Sequence, residues 1–298
     1  MTERTRATAI GLSAVVMWAA LGTLVAASGR VPPFLLNVLT FGMSGTVAMV
    51  WLIATGRVGV LRQPLSVWAL GVVGLFGFHA FYFAALRLAP PVEAGLVNYL
   101  WPLLIVVFSG LLPGERLRAH HVIGAAIGLV GAAAVVTRGR GVAIDPAHVP
   151  GYLAALGSAV TWAGYSILSR RLGSVPTATV AGFCLATALL SIPAHLAFEE
   201  TVWPTGPVEW AAVVGLAAFP VGLAFFVWDH GVKRGDIQIL GAASYVSPLL
   251  STFLLILAGL GSYSGAVGFA AVAITLGAVI ASKDMLVRRR PEGSSAEA

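Results

Sequence analysis

NYLWPLL at residues 98–104 and SYVSPLL at residues 244–250 decide how this chain is read. Each stretch lies inside a long apolar run, and each sets a proline where a helix would otherwise continue. Such a proline has no N–H to offer the carbonyl four residues back, and its ring pushes against that carbonyl. Pro102 is therefore expected to free the carbonyl of Asn98, and Pro248 that of Ser244. In hydrocarbon, a freed carbonyl must find a partner or line a cavity.

The surrounding composition places both motifs in a membrane. Of the 298 residues, 58% are hydrophobic and 10% charged, where soluble domains carry about 25% charged residues. Mean hydropathy is +0.91. A helix crossing the hydrocarbon core takes roughly 20 apolar residues. Spans are read near 7–28, 33–54, 64–86, 91–111, 118–137, 151–171, 176–198, 207–230, 237–259 and 262–282. The runs are continuous rather than alternating, so they are helices and not barrel strands. The expectation is an all-α integral membrane protein with ten transmembrane helices. The first run is too long for the apolar region of a signal peptide. The lone cysteine, Cys184, allows no intrachain disulfide.

Basic residues set the orientation. Of the 18 lysines and arginines, all but Arg30, Arg87, Arg138 and Arg140 fall on the side that holds the N-terminus. Both termini are expected in the cytoplasm, with the protein in the inner membrane of a bacterial cell. The basic pI near 10 is then a matter of topology, and no nucleic-acid partner is expected.

Sliding the chain on itself exposes two halves. At an offset of 146, Tyr99 falls on Tyr245, Pro102 on Pro248 and Gly131 on Gly277; earlier in the chain an offset of 144 sets Trp18 on Trp162 and Pro32 on Pro176. Five spans per half is an odd number, so the second half starts on the opposite face and the repeats are inverted. The halves are 1–137 and 151–283, joined by an external linker at 138–150 and followed by a disordered cytoplasmic tail at 284–298.

Ten helices in two inverted repeats, with a PGERL turn at 113–117 after the fourth, resemble the EamA-type branch of the drug/metabolite transporter superfamily. Within it, GFHAFYFAALRLAPPVEAGLVNYLWPLL at 77–104 is similar to the aromatic amino acid exporters of the YddG type. The resemblance implies export of amino acids, aromatic ones and also neutral ones such as threonine, by alternating access through a central aromatic-lined cavity. A broader exporter of amphiphilic metabolites or drugs is the alternative. The second half lacks a counterpart of the Gly114–Glu115 turn, so Glu115 reads as a loop-capping residue.

Proline-interrupted spans in corresponding positions point to a transporter site. The expected substrate-binding residues are Trp18, His79, Tyr82, Asn98, Tyr99, Trp101, Trp162, Ser244 and Tyr245, with Pro102 and Pro248 as helix breaks and Trp228 and Asp229 as secondary candidates. Trp51, Trp68, Trp203 and Trp210 read as an interfacial belt. Freed carbonyls and tyrosine oxygens would accept from an ammonium, while indole, asparagine and histidine donors would face a carboxylate. No lysine or arginine falls mid-span, which disfavours phosphorylated substrates. No carboxylate sits at the midplane, which favours downhill export over proton coupling. No HExxH, GxSxG, phosphate loop or His/Cys cluster is present, so neither catalysis nor a cofactor nor a metal is expected. The partners are a small-molecule substrate and the bilayer, and the chain is compatible with a monomer.

Overall fold

The computed structural model describes residues 2–139, 145–257, 263–281 and 283; the tail at 284–298 and the middle of the linker lie outside them. The described residues are helical, with no strand. In chain order the helices are α1 (Glu3–Ala27, with a one-residue interruption at Ala20), α2 (Pro33–Ala54), α3 (Leu65–Leu88), α4 (Pro91–Ser109), α5 (Ala119–Val136), α6 (Val149–Arg171), α7 (Thr177–Phe198), α8 (Pro207–Arg234), α9 (Ile237–Ala243 and Val246–Leu257) and α10 (Gly265–Ala281).

Their ends follow local chemistry. Thr2 caps α1 through a hydrogen bond from the Thr5 N–H at 3.2 Å. Pro33 and Pro91 each open a helix at its first position, where a missing N–H costs nothing. α1 and α2 run out at Gly29 and Gly56, whose φ of 76° and 67° few other residues adopt.

Among the described residues, eight helices are long and apolar enough to cross a membrane. α6 and α10 are not among the eight, which differs from ten equivalent spans. α10 has 17 residues and borders residues that are not described. α6 is the polar one, and its Ser158, Ser166 and Ser169 are buried. It packs on α3, α4 and α8, with the Ser158 hydroxyl donating to the Phe78 carbonyl of α3, while Leu153 and Val160 on its other side are exposed. The outer surface is apolar: Leu65 is 83% exposed and Val47 71%, as hydrocarbon requires.

The packing partners carry the repeat into three dimensions. α1 lies on α8 and α6 on α3; α2 pairs with α7, α4 with α9 and α5 with α10. Exchanging the two halves turns the first two contacts into one another and leaves the other three unchanged, which is the signature of a two-fold relation. Glycines permit the closest crossings. A Cβ on Gly124 of α5 would lie 2.5 Å from the Gly277 carbonyl oxygen of α10, and one on Gly11 of α1 would lie 2.9 Å from Gly231 Cα of α8.

Candidate functional site

The break in α4 precedes its proline. The helix stops at Asn98, turns through Tyr99 and Leu100, and restarts at Trp101 with Pro102 in second place, where proline is tolerated. The Leu100 N–H reaches back only to the Val97 carbonyl at 3.1 Å. In a regular helix Leu103 would donate to Tyr99; here its N–H donates to the Tyr245 hydroxyl of α9 at 3.1 Å. Asn98 is buried, and its Oδ1 has no hydrogen-bond partner among the described residues.

The break in α9 is the same device in a different state. Its two pieces are separated by Ser244 and Tyr245. The expected open carbonyl at Ser244 is not found: it accepts from the Ser247 N–H at 3.1 Å. The Ser244 hydroxyl donates to the Leu240 carbonyl at 2.7 Å. A serine satisfies the kink from within, so this copy offers little to a ligand.

Beside the break in α4, four tryptophans meet. Trp18 of α1, Trp101 of α4, Trp162 of α6 and Trp228 of α8 touch in all six pairings, with ring centroids 5.1–6.4 Å apart. Most contacts are edge-to-face, which aromatic quadrupoles favour. Each half contributes two rings. Phe225 joins Trp18 and Trp162 at 6.2 and 5.6 Å. Two indoles are already engaged: Trp18 Nε1 donates to the Pro220 carbonyl at 3.0 Å, and Trp228 Nε1 to the Ser166 hydroxyl at 3.1 Å. Neither is available to a carboxylate as anticipated. Trp101 and Trp162 donate to no described residue, which leaves their N–H groups for that role.

His79 and Tyr82 continue the aromatic wall along α3. Phe78 lies 5.6 Å from Trp162 and stacks on Tyr82 at 6.2 Å. His79 is edge-on to Phe41 and Phe78, and its Nδ1 faces the Leu75 carbonyl at 2.7 Å. A carbonyl only accepts, so Nδ1 is the donor in that contact. The Tyr82 hydroxyl reaches α4 beside Gly95, one turn before Tyr99.

Other expected residues lie elsewhere. Tyr245 is fully buried in a second core with Val106, Ala125 and Ile274, away from the tryptophans. Asp229 is matched within the protein: its Oδ2 accepts from Lys233 Nζ at 2.8 Å and from the Thr177 hydroxyl at 2.6 Å. Trp68, half-buried in the first turn of α3, packs edge-on against Phe183 at 5.6 Å. Trp51 and Trp203 are about half exposed, at 48% and 54%, as a belt requires.

Two features escaped the sequence reading. Wide π-turns interrupt α3 at Val73–Gly77 and α8 at Phe219–Leu223, at the same place in the two halves. Pro220 and Gly222 were the available signal, since a Cβ on Gly222 would collide with the Ala217 carbonyl. π-turns often mark functional sites, and here one turns the Pro220 carbonyl toward Trp18. Glu115 was the second. It does not merely cap a turn: it binds Arg170 of α6 and Arg4 of α1, the latter at 3.2 Å. Arg4 also reaches Asp236 at 3.0 Å, and Arg170 holds the Val232 and Gly235 carbonyls at 2.7 and 2.9 Å. This network clamps α1, α6, α8 and the start of α9 together on the face that carries the N-terminus.

The chain matches the EamA-like transporter family twice, over residues 5–137 and 149–283. It belongs to that family. It is 53% identical over 289 residues to the aromatic amino acid exporter YddG of Ancylobacter novellus, spanning 96% of this chain and 100% of the relative. The protein of the same name from Escherichia coli strain K12 is 25% identical over 263 residues, covering 84% of this chain and 88% of that one. A solved crystal structure, also 53% identical, superposes with a TM-score of 0.90 over 96% of this chain and 100% of its own. The relatives are transporters rather than enzymes, and this family member is a multi-pass membrane protein with a small-molecule substrate.

Proposed function

We propose that the chain exports aromatic amino acids from a bacterial cytoplasm, using ten crossing helices in two inverted repeats that alternate access around the tryptophan cluster. The four mutually touching tryptophans, two from each half, carry this reading. A side-chain ring entering among them exchanges ring–ring contacts for new ones, at about 0.5–1.5 kcal/mol per pair beyond area burial. The N–H groups of Trp101 and Trp162 face the substrate carboxylate, and the buried Asn98 Oδ1 accepts from its ammonium. His79, Tyr82 and Tyr99 line the side of the cluster along α3 and α4. The relative's name agrees with this substrate class.

In this orientation the Arg4–Glu115–Arg170–Asp236 clamp lies on the cytoplasmic face and closes it. Asp229, the carboxylate next to Trp228, is held by Lys233 and carries no proton cycle, so export runs downhill. The test is flux from liposomes loaded with labelled phenylalanine, tryptophan, threonine or an amphiphilic drug, with and without a pH gradient. Selective phenylalanine and tryptophan efflux, abolished in Trp101→Ala at normal expression, supports the reading. Equal flux of the drug favours the broader exporter, and accumulation driven by the pH gradient overturns the downhill mechanism.

A further inference from the structure

A groove separate from the tryptophan cluster runs between α2, α7 and α8. Its volume is about 950 Å³, within the range of small-molecule sites. Its walls are Val47, Ala48, Val214, Ala217, Leu223 and Phe226, and three basic side chains, Arg57, His230 and Arg234, line it as well. The walls reach the outer surface, where Val214 is 53% exposed and Leu223 49%. No carboxylate lines it. The nearby Asp229 is buried and taken by Lys233. Arg57 lies over the Trp51 ring at 5.1 Å, and Arg234 Nη1 sits 3.4 Å from His230 Nδ1. Two guanidinium forks and an imidazole are thus gathered where the last turns of α2 and α8 leave the membrane.

The fold does not require this groove. At the related place in the other half, Trp68 stands where Val214 stands here, and Phe34 where Ala178 does. Trp68 fills that space against Phe183. The counterparts of Arg57, His230 and Arg234 are Thr201, Ala84 and Leu88, none of them charged. Open volume and three basic side chains therefore occur together in one copy, whereas the other has its wall filled by Trp68 and a single basic side chain, Arg87, which donates to the Phe198 carbonyl at 2.9 Å.

We infer that this groove binds one anionic glycerophospholipid from the leaflet on the N-terminal face. Its phosphate takes the donors of Arg57, Arg234 and His230, and an acyl chain follows Val47, Val214 and Leu223. Basic pockets between membrane helices recognise lipid headgroups in this way, and guanidinium suits phosphate oxygens by geometry as well as charge.

The test is native mass spectrometry of the full-length protein from detergent, with equimolar phosphatidylglycerol and phosphatidylcholine. Wild type should retain phosphatidylglycerol with roughly tenfold preference. The double variant Arg57→Gln/Arg234→Gln should lose the preference and keep its fold, because both side chains are exposed. Val214→Trp, which copies the filled half, should lose both adducts. Equal binding of the two lipids by wild type, or an unchanged preference in the double variant, would overturn the assignment. So would displacement of the lipid by added phenylalanine, which would make the groove part of the substrate route.

Discussion

Tyr99 and Tyr245 are the same residue in two copies of one motif, and removing their hydroxyls should have opposite consequences. Tyr245 is fully buried, and its oxygen accepts the Leu103 N–H at 3.1 Å across the interface between the halves. Tyr245→Phe leaves that backbone donor without a partner in a dry core. A buried unpaired donor costs about 1–3 kcal/mol, whereas hydrogen bonds within membrane bundles average about 0.6 and reach about 1.7. The membrane figure lowers the estimate, since the unfolded helix also finds partners. The burial raises it, since no water reaches the site. We expect about 1–2 kcal/mol, a roughly 5- to 30-fold shift of the unfolding equilibrium. Tyr99 has no hydrogen-bond partner among the described residues, so Tyr99→Phe should change stability by less than about 0.5 kcal/mol and reduce transport instead. Reversible unfolding in mixed micelles and efflux from liposomes, measured on both variants, separate the two effects. A Tyr245→Phe protein that unfolds like wild type, or a Tyr99→Phe protein with normal efflux and reduced stability, would refute the reasoning.

Three further outcomes follow from contacts already described. Trp18→Phe keeps a ring in the cluster but strands the Pro220 carbonyl, and should cost about 0.5–1.5 kcal/mol in the same unfolding measurement; phenylalanine efflux is expected to persist. Gly222→Ala drives a Cβ into the Ala217 carbonyl. It should destabilise by about 1–3 kcal/mol, whereas Gly164→Ala, where a Cβ meets nothing within 4 Å, should be neutral in a thermal melt. Glu115→Gln removes the counter-charge of Arg170, whose side chain is 17% exposed. Losing one partner of a fully buried pair costs about 3–5 kcal/mol; partial exposure and the two carbonyl contacts kept by Arg170 reduce this to about 1–3. Arg4→Gln, at a side chain 45% exposed, should cost less than about 1 kcal/mol, and comparing the two melts checks the ranking.

Much of the architecture was legible in the residues because membrane helices obey local rules. Run length, turn glycines and helix-opening prolines act within a few residues, so breaks at Asn98–Trp101 and Ser244–Val246 could be placed without a structure. The tryptophans were legible for a related reason. Indoles in mid-span fit neither lipid nor the interfacial belt, so Trp18, Trp101 and Trp162 stood out. α6 was harder: its serines lower its hydropathy, and only their hydrogen bonds to the Phe78 carbonyl of α3 and from Trp228 of α8 explain why they are tolerated.

The sequence by itself determined the membrane class, the helical spans and the duplicated break, since each depends on neighbours along the chain. Only the tertiary structure decided how the two copies diverge. Equal spacing puts a tyrosine at the same turn of α4 and α9, yet the Tyr245 hydroxyl accepts from the opposite helix while that of Tyr99 has no hydrogen-bond partner among the described residues. The same holds for the π-turns, for Glu115 with its two arginines, and for a groove open in one half and filled by Trp68 in the other. A two-fold relation between halves equates positions, but packing is set by the side chain opposite, and that differs from copy to copy.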